Sequence, residues 1–112
     1  MSNINKYNNG KIYRIVSNVT NKNYIGSTCN SLKSRLGEHR RNYNHFCNNK
    51  YHYVSSFDVI ETGDYAIFLI EDFPCDRKDQ LEARERHYIE ISDCVNRNIP
   101  SRSRTEYLMH YN

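Results

Sequence analysis

Tyr13, Tyr24, Arg35 and His39 fall within 27 residues of one another, and a carboxylate able to hold a metal stands much later, at Glu85. Two phenols, a guanidinium, an imidazole and a carboxylate are the parts needed to hydrolyse a phosphodiester. That reaction requires a deprotonated water, neutralisation of charge on the phosphate oxygens, and stabilisation of the leaving alkoxide. Tyr24 can act as base if its surroundings lower its pKa from about 10, which a nearby metal or the Arg35 cation would do. Arg35 is permanently charged and fork-shaped, the right form for gripping non-bridging oxygens. His39 titrates near neutrality and can bind a phosphate or shuttle a proton. Glu82 and Glu85 are i,i+3 neighbours, and either or both can reach Mg²⁺, a hard cation that takes one carboxylate with substrate phosphate and waters. Taken singly, each residue has an ordinary explanation: a strand-forming aromatic at Tyr24, a solvated face at Arg35 and His39, a charged helix face at 82–86. The set as a whole is harder to explain by packing.

These side chains need elements to position them. Residues 11–17 read as a strand with apolar contacts on both faces, Ile12 and Val16 on one, Tyr13 and Ile15 on the other. Residues 18–23 form a turn in which Asn21-Lys22-Asn23 tolerates unusual backbone angles. Tyr24 and Ile25 return as a strand that Gly26 ends, leaving the Tyr24 hydroxyl at the sheet edge. Asn30 or Ser31 caps a helix that turns Leu32, Leu36 and Tyr43 inward and puts Arg35 and His39, four apart, on one face. Residues 44–56 carry no clear signal. Val54, Phe57, Val59 and Ile60 predict a short buried helix stopped by Gly63. Residues 65–71 are the most hydrophobic run and read as a central strand. After Pro74, Asp76 or Asp79 is expected to cap a helix reaching about Ile91 and burying Leu81, Tyr88 and Ile91. Val95–Asn98 predicts a last short strand, and Ser103–Glu106 has the form of a capping box ahead of Tyr107, Leu108 and Tyr111.

The 112-residue chain has room for one domain and a modest core. No apolar run long enough to span a membrane and no signal-peptide pattern is present, so an intracellular protein with no membrane partner is expected. Cys29, Cys47, Cys75 and Cys94 include no C-x-x-C pair, and reduced thiols are expected. The net charge of +3 conceals a segregation. Residues 1–30 hold four basic and no acidic side chains, and 31–50 hold Lys33, Arg35, Arg40, Arg41 and Lys50 against Glu38 alone. Residues 58–93 reverse the balance, with eleven acidic side chains against four basic ones. A basic front suits a polyanion, and Lys33, Arg40 and Arg41 are its candidate DNA contacts. The alternative to a nuclease is a non-catalytic nucleic-acid-binding module that uses the basic face of 31–50.

Lys11-Ile12-Tyr13 and Tyr24-Ile25-Gly26, followed by Arg35, His39 and Glu85-Arg86-His87-Tyr88-Ile89, resemble the GIY-YIG endonuclease superfamily. Lys11 stands where the first motif has Gly, with Gly10 one position earlier. The resemblance spans about 10–98, leaving 1–9 as a flexible lead-in and 99–112 as a short extension, either a packed helical turn or the start of something longer. It implies a small α/β domain with a central three-stranded, mostly antiparallel sheet flanked by helices. It also implies one-metal hydrolysis of DNA with Mg²⁺, or Mn²⁺ as a substitute, leaving a 5′-phosphate and a 3′-hydroxyl. By the same resemblance Tyr24 is the general base, Tyr13 lines and orients the site, and Arg35 and His39 hold the phosphate. It selects Glu85 over Glu82 as the metal ligand and gives Asn96 a supporting role. Members usually take specificity from an added domain. Targeting is therefore expected from a partner or from a region outside this chain, with a monomer in isolation and transient pairing on DNA.

Overall fold

The computed structural model describes residues 5–96. Three strands form one antiparallel sheet: β1 (Lys11–Ser17), β2 (Asn23–Thr28) and β3 (Tyr65–Asp72), in the order β2-β1-β3. Three helices accompany it: α1 (Leu32–Cys47), the one-turn α2 (Phe57–Ile60) and α3 (Lys78–Ile91). The fold is the expected one, a three-stranded antiparallel sheet flanked by helices.

β1 is the central strand because its side chains are apolar on both faces. Tyr13 and Ile15 meet Leu36, Val59 and Ile60 from α1 and α2. Ile12 joins Ile25 of β2 and meets Leu81 and Ile89 of α3 on the other face. The run at 65–71, expected at the centre, lies instead at an edge. Phe68 and Leu69 remain 48% and 45% exposed, and hydrophobicity along a strand reports apolar content, not the number of strand neighbours. Its pairing with β1 shifts register between Ile12 and Tyr13, a bulge that sharpens the local twist beside the site.

The β1–β2 turn is held by the Ser17 hydroxyl, which accepts from the amides of Val19 and Thr20, while Asn21 takes the left-handed conformation at φ 62°. Gly26 does not end β2, which runs on to Thr28. Ser31 caps α1 by accepting from the Ser34 amide. At α3 the cap is neither Asp76 nor Asp79. The Gln80 side chain accepts from the amides of Asp76 and Arg77, and Asp79 pairs with the Arg77 guanidinium. Ile89, not Ile91, packs into the core, and Ile91 is 66% exposed.

Lys6–Asn9, within the segment expected to be loose, forms a 3₁₀ turn. Asn5 caps it, and its Tyr7 carbonyl accepts from the Cys75 amide. The four cysteines are free thiols. Among the described residues no helix is long and apolar enough to cross a membrane. Of the strand expected at Val95–Asn98, Val95 and Asn96 are described and form no strand; its remainder and the element expected at 103–111 lie outside the described residues.

Candidate active site

The site forms around β2, where the α1 face of the sheet meets the reach of α3. Cross-strand register sets Tyr13 of β1 opposite Gly26 of β2 and Ile15 opposite Tyr24. The rings of Tyr13 and Tyr24 lie 6.5 Å apart, and the His39 imidazole stands edge-on to both, at 6.0 and 5.4 Å. Tyr13 is fully buried, its hydroxyl accepting from Arg35 Nε at 3.1 Å and lying 2.7 Å from His39 Nε2. His39 Nδ1 lies 2.9 Å from the buried Ser56 hydroxyl. Ordered donors therefore run from Arg35 to Tyr13 to His39 to Ser56, if Nδ1 carries the imidazole proton and Nε2 accepts from Tyr13.

His39 is only 3% exposed and has both ring nitrogens engaged, so it is part of the scaffold behind the site and does not present a face to solvent. Arg35 is half-buried. Its Nη1 pairs with Glu38 at 3.0 Å, and Nη2 makes no hydrogen bond among the described residues. The Tyr24 hydroxyl is likewise without a hydrogen-bond partner there, on a residue that is partly exposed.

Glu85 enters from α3. One carboxylate oxygen accepts from the Ser27 hydroxyl at 2.5 Å. Its charge is felt at both phenols, and that of Arg35 is felt at Glu85, so the four groups share one electrostatic neighbourhood. Among the described residues no arginine pairs with Glu85; Arg84, its neighbour, is forked onto Glu71 with contacts at 2.6 and 3.0 Å. Asn96 clamps the free edge of β2. Its side-chain oxygen accepts from the Ile25 amide at 2.9 Å and its nitrogen donates to the Ile25 carbonyl at 2.6 Å. The Val95 amide donates to the Asn23 carbonyl alongside.

Burial dominates the proton affinities. It pushes the Tyr13 hydroxyl up to about 12, with Arg35 partly offsetting it. Tyr24 is raised further by burial, and then by Tyr13 and Glu85. The lowering that a tyrosine base needs is thus not supplied by the protein groups around Tyr24. Burial and the Arg35 charge bring His39 down to about 3, leaving it neutral. Burial raises Glu85 to about 7, with the Ser27 hydrogen bond opposing and Glu82 reinforcing. A carboxylate held this far from its ordinary value is poorly compensated by its protein neighbours. No group of three or more His, Cys, Asp or Glu side chains converges among the described residues. The donor set suits a hard cation that takes one carboxylate and completes its shell with water and substrate, as Mg²⁺ does, and does not suit an all-protein cage.

Residues 9–94 match the GIY-YIG catalytic domain model. The chain belongs to the GIY-YIG family. No curated protein and no solved structure matches it. As a GIY-YIG catalytic domain it brings Tyr13, Tyr24, Arg35, His39 and Glu85 into one cluster, with Asn96 bracing the strand beneath. It does not bring Lys33, Arg40 and Arg41 there. At 3.6 residues per turn these lie more than about 100° round α1 from Arg35. All three are exposed, and Arg40 donates to the Tyr65 hydroxyl at 2.8 Å. Sequence reasoning missed Ser27, Ser56 and Glu38 as partners of Glu85, His39 and Arg35. Ser27 directly follows the second motif and faces α3 beside Ile25, a signal that was available. Ser56 lies in the stretch without periodicity and offered none.

Proposed function

We propose that this GIY-YIG domain is a divalent-metal-dependent DNA endonuclease that hydrolyses phosphodiesters to leave 5′-phosphate and 3′-hydroxyl ends. The observation that carries the reading is the meeting of Arg35, the two phenols and Glu85 around one strand; among the described residues Arg35 keeps an unbonded nitrogen, Tyr24 an unbonded hydroxyl, and Glu85 is bonded by Ser27. A phosphate-binding module has no use for a part-buried, poorly neutralised carboxylate beside its arginine, since like charge repels the ligand.

Arg35 Nη2 binds a non-bridging oxygen, while Nε stays on Tyr13. Tyr24, free at its hydroxyl among the described residues, would first give its own proton to solvent and then, as the phenolate, take the proton of the attacking water. Tyr13 and His39 are positioning residues: they hold the Arg35 fork in orientation from behind, with Ser56 fixing the imidazole. Glu85 would hold Mg²⁺ or Mn²⁺, whose charge stabilises the leaving 3′ oxygen and favours the Tyr24 phenolate. Asn96 keeps β2, and with it Tyr24, in place. Lys33, Arg40 and Arg41 contact the DNA backbone beyond the cut phosphate.

Supercoiled plasmid incubated with the protein and Mg²⁺ or Mn²⁺ should be nicked or linearised. Cleavage should stop with EDTA and in Arg35→Ala and Glu85→Ala. Intact plasmid across a wide range of metal and pH, from folded protein that still binds DNA, would favour the binding module instead.

A further inference from the structure

A cleft of about 260 Å³ borders Ser27, the residue that donates to Glu85. Its lining includes Lys6, Tyr7, Ser27, Asn30, Lys78 and Glu82. Ser27 belongs to both places, since it borders the cleft and donates to Glu85. The two lysines come from separate elements, the 3₁₀ turn before β1 and the first residue of α3. Both are exposed, and neither forms an ion pair among the described residues. Lys6 Nζ sits 5.3 Å from the centre of the Tyr7 ring, and both residues line the cleft. Glu82 is the one carboxylate in the lining, so two ammonium groups face one acid and the cleft is positive on balance. Tyr7 and Leu81 supply an apolar floor and Asn30 an amide. Positive groups over an aromatic floor, continuous with a phosphate-cutting site, match a sugar–phosphate unit. The cleft of about 240 Å³ under Arg40 differs in having a single cation in its lining.

Resting on the nuclease reading above, we propose that this cleft is a substrate subsite. It holds the nucleotide that adjoins the scissile phosphate on the Glu85 side, with Lys6 and Lys78 on its phosphate and Tyr7 against its sugar. The subsite would set the strand's path past Glu85 and make cleavage depend on DNA extending in that direction.

The test uses the full chain and a Lys6→Ala/Lys78→Ala double variant, with Lys22→Ala, an exposed lysine of the β1–β2 turn, as the charge control. Melting curves should match wild type, since both lysines are exposed. In duplex binding, the double variant should flatten the slope of log affinity against log salt by about one to two, one phosphate contact contributing about 0.9. Lys22→Ala should leave the slope unchanged. In cleavage, the loss should appear in KM for DNA. Duplexes shortened from one end until the adjoining nucleotide is missing should make wild type and double variant equal. An unchanged slope and KM in a wild type that cuts would overturn the subsite alone. So would a loss that persists on every shortened duplex, which marks a general basic surface. A wild type that binds DNA without cutting it leaves no scissile phosphate to flank, and overturns the nuclease reading together with the subsite.

Discussion

The ring of Tyr13 lies over the bare α-carbon of Gly26, its partner across the β1–β2 pair, so closely that a β-carbon there would fall 2.4 Å from the Tyr13 hydroxyl. Gly26 has ordinary strand geometry, so what it contributes is space. Without that space Tyr13 could not lie flat enough for its hydroxyl to meet both Arg35 and His39. Gly26→Ala should cost about 1–3 kcal/mol in a urea melt, the scale of overpacking a core. Cleavage should fall further than that loss of stability explains, because the methyl displaces the oxygen that orients Arg35. A variant with wild-type stability and activity would show that the ring can move aside.

Tyr24→Phe should leave melting nearly unchanged and lower cleavage by roughly 10²-fold or more, the scale of a removed acid or base. Tyr13→Phe removes a buried oxygen bonded to two partners, and should cost about 1–3 kcal/mol of stability as well as activity. Rates and melts on both variants separate the roles. A destabilised Tyr24→Phe with normal turnover would exchange them.

The acid limb of cleavage should follow Glu85. With its carboxyl at about 7, a proton must leave before a cation binds. At limiting Mg²⁺ the rate should therefore rise up to about tenfold per pH unit below about pH 7. Excess Mg²⁺ should move that limb to lower pH. An acid limb indifferent to Mg²⁺ would assign it to another group.

His39 gives a stability signature that also weakens on acidification, for a different reason. Its native value of about 3 lies below the ordinary 6.5, so on acidification the unfolded chain takes up the proton first. Stability from this residue is complete above about pH 6.5 and is lost as pH falls toward 3, at roughly 1.4 kcal/mol per unit inside that window. His39→Gln should be less stable at neutral pH yet lose less between about pH 7 and pH 5.5. Parallel losses would mean that His39 titrates normally.

Asn96→Ala should leave the Ile25 amide and carbonyl without their partner, costing about 1–3 kcal/mol. Amide exchange at Ile25 should quicken more than at Ile15 on the central strand. Equal protection at both would show that Val95 alone secures the edge.

Strand β1 and a cap for α1, left between Asn30 and Ser31, were legible because local chemistry decides them. The inward face of α3 was not. At 3.6 residues per turn Ile89 and Ile91 lie at about equal angles on either side of Leu81, so spacing offers no choice between them. The sheet takes Ile89, and that turn of the helix carries Glu85, which lies between Leu81 and Ile89, inward with it. The choice of Glu85 over Glu82 therefore rested on the motif and not on the helix period. His39 shows the converse. Its four-residue spacing from Arg35 was plain in the sequence, yet its burial against Ser56 depended on a segment with no pattern at all. The place of β3 at the edge was hidden for a related reason, because Phe68 and Leu69 are as apolar as core residues while standing in solvent.

The clamp of Asn96 on Ile25 joins positions 71 residues apart. During synthesis the hairpin and α1 leave the ribosome early, and Arg35 can find Tyr13 at once. The outer edge of β2 has to wait for residue 96, and closing so long a loop is a late step in folding. Glu85 waits almost as long. A nascent chain thus assembles the Arg35–Tyr13 half of the cluster well before Ser27 meets Glu85.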